Sequence, residues 1–181
     1  MLHGKIFIRM KTNEMNRRSS CTFTGHRESK LPWRDREDDP RCIALKRCIA
    51  DAVEAVYRDG ATHFICGMAT GCDMYFCEAV LALREEHPEV TLEAAIPCED
   101  QAGRWSAALR RRWERLVTEC DCQTVISKEY TDDCMMRRNR YMVDASAYLI
   151  AAYNGAPGGT RSTLLYAMRQ GVHVIQLPIK E

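Results

Sequence analysis

A chain of 181 residues, 46% of them apolar, fits one domain and can bury a core without disulfide or metal staples. The formal charge of +1 is uneven: residues 1–19 carry Lys5, Arg9, Lys11, Arg17 and Arg18 against Glu14 alone, a surplus of +4 that leaves the rest at −3. A slightly acidic body is a poor electrostatic footprint for a protein that lives on phosphate backbones, and no stretch reaches the length of a membrane span.

The ten cysteines would imply a disulfide scaffold in a short secreted protein, but they are scattered along apolar runs. The Ile6-Phe7-Ile8 run is too short for a signal-peptide core, so the expected setting is a reducing cytoplasm and the expected state is free thiol. Metal-ligand spacing is missing, since no Cys-x-x-Cys or paired histidines occur, and neither a metal nor a cofactor is expected.

Residues 1–19 show no sustained periodicity and read as a loose basic extension, in which Met10 and Met15 are alternative starting points. From residue 20 to 181 apolar extended runs alternate with amphipathic helical ones. A strand over 21–24 ends in Thr24-Gly25-His26-Arg27. A helix over 40–59 follows, with Asp39 as N-cap and Pro40 at its first position. A second strand, 63–66, leads through Gly67-Met68-Ala69-Thr70-Gly71-Cys72-Asp73 into a helix over 70–87, whose Tyr75, Phe76, Ala79, Val80 and Leu83 recur at helical spacing.

The pattern continues with a strand over 91–96, a helix over 101–119 bearing Trp105, Leu109, Trp113 and Leu116 on one face, a strand over 123–126 and a helix over 134–145. It closes with a strand over 148–153, the turn Asn154-Gly155-Ala156-Pro157-Gly158-Gly159-Thr160, a helix over 160–170 and a strand over 172–177. This alternation, free of internal repeats and low-complexity linkers, predicts a single α/β domain built on a Rossmann-like, doubly wound, mostly parallel sheet.

In such a sheet the three glycine-bearing segments share one edge, where bare amides and helix N-termini form anion sites. Gly25, His26 and Arg27 fall near the switch point; Arg27 suits bidentate phosphate recognition, and His26 reads as a contact before a proton shuttle. Gly67, Met68, Ala69 and Gly71 allow close backbone approach, while Thr70 and Asp73 also fit a capping box that needs no ligand. Gly158, Gly159 and Thr160 open a helix whose first turn holds Arg161, and no acid occurs from Gly155 through Lys180. A cation at a helix start is disfavoured by a few tenths of a kcal/mol, a preference that an anionic ligand would reverse. Gln101 and Asn139 interrupt apolar stripes, and either a pocket or a strand-end carbonyl would supply the partners that they need. Asp144, at a helix C-terminal end, is expected to answer Arg138 or a ligand hydroxyl. Cys98, after Pro97 at a strand end, is expected to be the most reactive thiol.

Five segments in this order resemble the YpsA-like branch of the SLOG superfamily, a Rossmann-like fold that also includes the DNA-processing protein DprA and the Lonely Guy enzymes. They are Cys21–Arg27 (CTFTGHR), Phe64–Asp73 (FICGMATGCD), Glu93–Gln101 with Trp105 (EAAIPCEDQ and W), Arg138–Asp144 (RNRYMVD) and Gly158–Thr160 (GGT), spread over residues 20–178. The resemblance implies a pocket for a nucleotide-like or phosphoribosyl-like molecule at the carboxyl edge of the sheet. It assigns no catalytic residue. Lonely Guy phosphoribohydrolases carry Gly-Gly-x-Gly-Thr-x-x-Glu, whereas this chain reads Gly158-Gly159-Thr160-Arg161-Ser162-Thr163-Leu164-Leu165 without an acid. A carboxylate for glycosidic cleavage would have to come from Asp73, Glu78 or Asp144.

The favoured expectation is a cytoplasmic binding or sensing protein for a small nucleotide-like ligand, with no membrane partner; a homo-oligomer is left open. The alternatives are a nucleoside-phosphate N-glycosidase and a DprA-like binder of single-stranded DNA. For the last, Arg110-Arg111-Arg112 and Arg137-Arg138 are the local support, and the acidic body counts against it.

Overall fold

The structure, a computed structural model, describes residues 17–180. The expected loose extension therefore falls almost wholly outside the described residues. At its described end, Arg17 Nε donates to the Ser146 carbonyl at 3.3 Å.

Strand β1 (Ser20–Gly25) is central and buried, with Cys21 and Phe23 in the main core and the Thr22 hydroxyl donating to the Ile65 carbonyl at 3.0 Å. Its end leads through a 3-10 turn at Glu28–Lys30 to α1 (Pro40–Arg58). The Asp39 carboxylate caps that helix, accepting from the Arg41 amide at 2.9 Å; the Arg41 side chain on the same carboxylate pushes its pKa down to about 2. Cys42, Leu45, Ile49, Val53 and Val56 are the buried stripe of α1.

The chain continues through β2 (His63–Cys66), α2 (Cys72–Glu86), β3 (Thr91–Cys98), α3 (Ala107–Glu119), β4 (Cys122–Ser127), α4 (Cys134–Asp144), β5 (Tyr148–Tyr153), α5 (Gly159–Arg169) and β6 (His173–Pro178). The six strands pair in parallel in the order β4-β3-β2-β1-β5-β6. Strand order runs outward in one direction up to β4 and reverses at β5, which lies on the other side of β1 with Gly25 opposite Ala152. Such a reversal leaves a crevice at the carboxyl ends of β1 and β5. Phe23 stacks on Phe76 at 4.8 Å in the core beneath that edge, each such fully buried ring contributing about 1.5–3 kcal/mol.

The helix expected over 101–119 begins instead at Ala107. Ser106 is its N-cap, the hydroxyl accepting from the Leu109 amide, and residues 101–106 are turns. Trp105 matches the apolar period without being helical, because its ring packs edge-on against Trp113 at 6.5 Å. The capping box at Thr70 does not form either: Gly71 is the N-cap of α2, and no side chain caps it. Among the described residues no helix is long and apolar enough to cross a membrane.

Candidate functional site

A cleft of about 370 Å³ occupies the switch point. The turn after β1 contributes Gly25, His26 and Arg27, the turn after β2 contributes Ala69, α2 contributes Asp73, α4 contributes Arg138 and Asn139, and the turn after β5 contributes Gly158, Gly159 and Thr160. Two hydrogen bonds close its base: His26 Nε2 to Asn154 Oδ1 at 2.6 Å, and the Thr160 hydroxyl to the Gly25 carbonyl at 3.1 Å. Asn154 Oδ1 also accepts from the Ala156 amide at 3.0 Å, so it is an acceptor and His26 carries its proton on Nε2.

The turn after β2 is filled by the protein's own atoms. The Met68 amide donates to Cys66 Sγ at 3.4 Å, the Ala69 amide to Asp73 Oδ2 at 3.1 Å, and the Cys72 amide to the His26 carbonyl at 3.1 Å. Its carbonyls are equally occupied. Arg138 Nη1 donates to Gly67 O and, at 3.2 Å, to Ala95 O, and Gln101 Nε2 donates to Gly67 O and Met68 O, each at 3.1 Å. The packing leaves no room for side chains: a Cβ on Gly67 would stand 2.5 Å from Arg138 Nη1 and 2.8 Å from Asp73 Oδ2. Gly71, at φ +81°, would place one 2.5 Å from the Glu28 amide nitrogen. Met68 is held fully buried at φ +56°, a strained conformation for a side-chain-bearing residue that this dense network enforces.

The turn after β5 is open. Gly158 is the N-cap of α5 and no side chain caps the helix, whose first turn has no acid; Ser162 is the first residue whose amide bonds back, to Gly158 O at 3.0 Å. The amides of Gly159, Thr160 and Arg161 thus have no carbonyl one turn back to bond. A Cβ on Gly159 would meet nothing within 4 Å. Two cations line the same cleft. Lys30 Nζ lies 3.1 Å from the position of a Gly158 Cβ, and the Arg27 guanidinium reaches Met135 Sδ at 3.9 Å, its one side-chain hydrogen bond among the described residues. Neither has an ion-pair partner among the described residues.

Asp73 forms the anionic floor. Burial pushes its carboxyl up, and the Arg138 charge, the Ala69 amide and Arg27 offset only part of that. Burial likewise pushes Arg138 down despite Asp73, so this guanidinium serves as a strut for the β2 and β3 ends rather than as a free phosphate clamp. Asn139 bridges α4 to α5, accepting from Arg138 Nε at 2.8 Å and donating to the Thr163 hydroxyl at 2.9 Å.

The remaining expected residues stand apart from the cleft surface. Gly67, Met68, Gly71 and Gln101 form the packed layer beneath it; Gln101 Nε2 found its partners in the carbonyls of Gly67 and Met68 rather than in a ligand pocket, while its buried Oε1 has no partner among the described residues. Cys98 is buried, and burial together with Cys134 pushes its thiol up, which corrects the expectation of a reactive thiol there. Asp144 lies at the opposite edge of the sheet, shortly before β5 begins, and accepts from the Tyr166 hydroxyl at 2.8 Å; neither Arg138 nor the cleft is its partner. Glu78 is also withdrawn, paired with Arg112 at 2.9 Å and Arg115 at 3.4 Å. The arginine runs are largely consumed by the fold: Arg110 bonds the carbonyls of Gly103 and Trp105, Arg112 pairs with Glu37 and Glu78, and Arg138 is buried. Sequence reasoning missed Lys30 and Ser29, which the 3-10 turn carries into the cleft, and Asn154, which holds His26.

Six parallel strands alternating with helices, with a cation-lined cleft where the strand order reverses, define a Rossmann-like α/β protein. The YpsA family model, described as the YspA SLOG family, matches residues 21–177, and the chain belongs to that family. It is similar to the uncharacterized SPbeta prophage-derived protein YoqJ of Bacillus subtilis, 31% identical over 144 residues that cover 72% of this chain and 84% of that protein. The UPF0398 protein OB1025 of Oceanobacillus iheyensis is 30% identical over 129 residues, 70% of each chain. Among solved structures, DNA processing protein A of Helicobacter pylori, described with a single-stranded DNA binding mode, superposes with a TM-score of 0.56 at 15% identity. That likeness covers 89% of this chain and 66% of the other, just under two thirds of its length, and shows a shared fold.

Proposed function

We propose that the switch-point cleft binds a phosphate-bearing, nucleotide-like ligand, and that the protein works in the cytoplasm as a binding or sensing module. The observation that carries this reading is the uncapped start of α5. Its free amides, Arg27 and Lys30 all present positive potential to one small volume, and an anion there satisfies donors that the protein leaves unpaired. Binding of single-stranded DNA has less support, because three of the five arginines in the two arginine runs, Arg110, Arg112 and Arg138, are engaged in internal bonds.

Thermal-shift titration tests the proposal. Adenosine 5′-monophosphate at 100 times its dissociation constant adds roughly 2.7 kcal/mol to the wild-type protein. Lys30→Ala and Arg27→Ala, which break no ion pair, lose most of that gain while keeping the unliganded melting temperature. Wild-type shifts in both variants would refute the assignment.

Hydrolysis of the glycosidic bond is the competing reading, favoured only by the presence of Asp73 in the cleft. Two positioned carboxylates are the usual requirement, and Glu78 and Asp144 are both engaged elsewhere. Chromatography should find no free adenine released from adenosine 5′-monophosphate. Turnover that vanishes in Asp73→Asn would promote the enzyme reading.

A further inference from the structure

A second cleft, of about 640 Å³, adjoins the first, and Arg27 and Ser29 line both. Its lining is mixed, with Arg27, Arg104 and Arg112 beside Glu28, Asp35 and Glu37. One wall is apolar and aromatic: Trp105, Ala108 and Leu109. The Trp105 ring is held edge-on by Trp113 at an interplanar angle of 87°, and Arg110 fastens its backbone by donating to Gly103 O at 3.0 Å and Trp105 O at 3.4 Å. The other wall carries the carboxylates of Glu28 and Asp35, neither of which has an ion-pair partner among the described residues. Their neighbour Glu37 does have partners: Lys46 at 2.5 Å and Arg112 at 2.5 Å, with Arg112 also bonded to Glu78 on α2. That network ties the segment after β1, which also carries Glu28 and Asp35, to α2 and α3.

We infer that this second cleft is the base subsite of the same ligand, which is therefore a nucleoside phosphate whose base bears an exocyclic amine, and not a phosphosugar. The inference rests on the reading of the first cleft as the phosphate site. Ionised carboxylates only accept hydrogen bonds, so a base edge placed at Glu28 and Asp35 is favoured when it offers donors, such as an exocyclic amine, over keto oxygens. A flat base has the shape and the π-face to lie against Trp105 and Leu109. The two clefts thus orient one molecule, phosphate toward α5 and base toward α3, with Arg27 at their junction. Burial, with Asp35 and Glu37 nearby, pushes the Glu28 carboxyl up, a cost that a donor from the ligand relieves.

Calorimetric titration of the full chain with adenosine 5′-monophosphate, inosine 5′-monophosphate and ribose 5-phosphate separates this inference from the reading beneath it. Expected are an adenosine phosphate affinity at least tenfold above that of ribose 5-phosphate and severalfold above that of inosine phosphate. Trp105→Ala should erase the first ratio while ribose 5-phosphate still binds as to wild type, Trp105→Phe should restore most of it, and Glu28→Gln with Asp35→Asn should narrow the second. Equal wild-type affinities for adenosine phosphate and ribose 5-phosphate would overturn the base subsite and leave the phosphate site standing. Failure of all three compounds to bind would overturn both. Should Trp105→Ala not fold, the wild-type ratios and the Glu28→Gln, Asp35→Asn double variant decide the matter.

Discussion

The turns after β2 and β5 have the same make-up, small residues and glycines leading into a helix, yet one is packed solid and the other is empty. After β2, three amides are taken by a thiol, a carboxylate and a carbonyl, and Arg138 and Gln101 hold the carbonyls. After β5, the helix begins with bare amides and open space around Gly159. Glycine therefore has two roles here: at Gly67 and Gly71 it makes room for the protein, and at Gly159 for a ligand. The space around each glycine separates these roles, and the count of glycines does not.

The comparison breaks most readily at Arg138. Arg138→Leu removes the donors to Gly67 and Ala95 and leaves the Asp73 carboxylate uncompensated, which should cost about 3–5 kcal/mol in urea denaturation. A loss below about 1 kcal/mol would mean that the filled turn needs no strut. Next in size is a pair of alanine substitutions. Gly71→Ala adds a Cβ at positive φ against the Glu28 backbone and should cost about 3 kcal/mol, whereas Gly159→Ala should stay within about 0.5 kcal/mol of wild type or gain a little helix propensity. Equal losses would erase the distinction between the two turns.

A subtler test uses pH. The folded-state pKa of Asp73 is raised, so its ionisation weakens the fold as pH climbs from the unfolded value near 3.8 through the folded one. Asp73→Asn, neutral throughout and still able to accept from the Ala69 amide, escapes that loss, a pH-dependent advantage at pH 7 set against the pH-independent cost of leaving Arg138 without its counter-charge. That advantage should shrink as pH is lowered toward 4. A constant difference across this range would show that Asp73 titrates as it does in the unfolded chain.

Much of this architecture is written in local pattern. The strands at 63–66 and 148–153 and the Asp39-Pro40 start of α1 follow from apolar runs and capping chemistry, and the structure places them at the expected residues. Where partners come from distant segments, local pattern misleads. Gln101 keeps helical spacing with Trp105, but its amide is drawn out of any helix by the carbonyls of Gly67 and Met68. Asp144 is three-dimensionally remote from the cleft because α4 runs away from the carboxyl edge, and a helix read from sequence has no visible direction until the sheet is built. Lys30 gave no signal, since only the 3-10 turn carries its ammonium beside Gly158. Arg138 and Asp73 were legible as polar residues near a turn, but their roles as strut and floor depend on burial.

The central claim is that the start of α5 is an anion site, and Gly159→Asp addresses it most directly. The new Cβ meets nothing within 4 Å, and the residue sits in the first turn, where a carboxylate stabilises a helix by about 0.3–1 kcal/mol. The variant should therefore melt at or slightly above the wild-type temperature while adenosine 5′-monophosphate no longer raises that temperature, because the protein's own carboxylate holds the anion's place. A wild-type shift with adenosine 5′-monophosphate in Gly159→Asp would contradict the account.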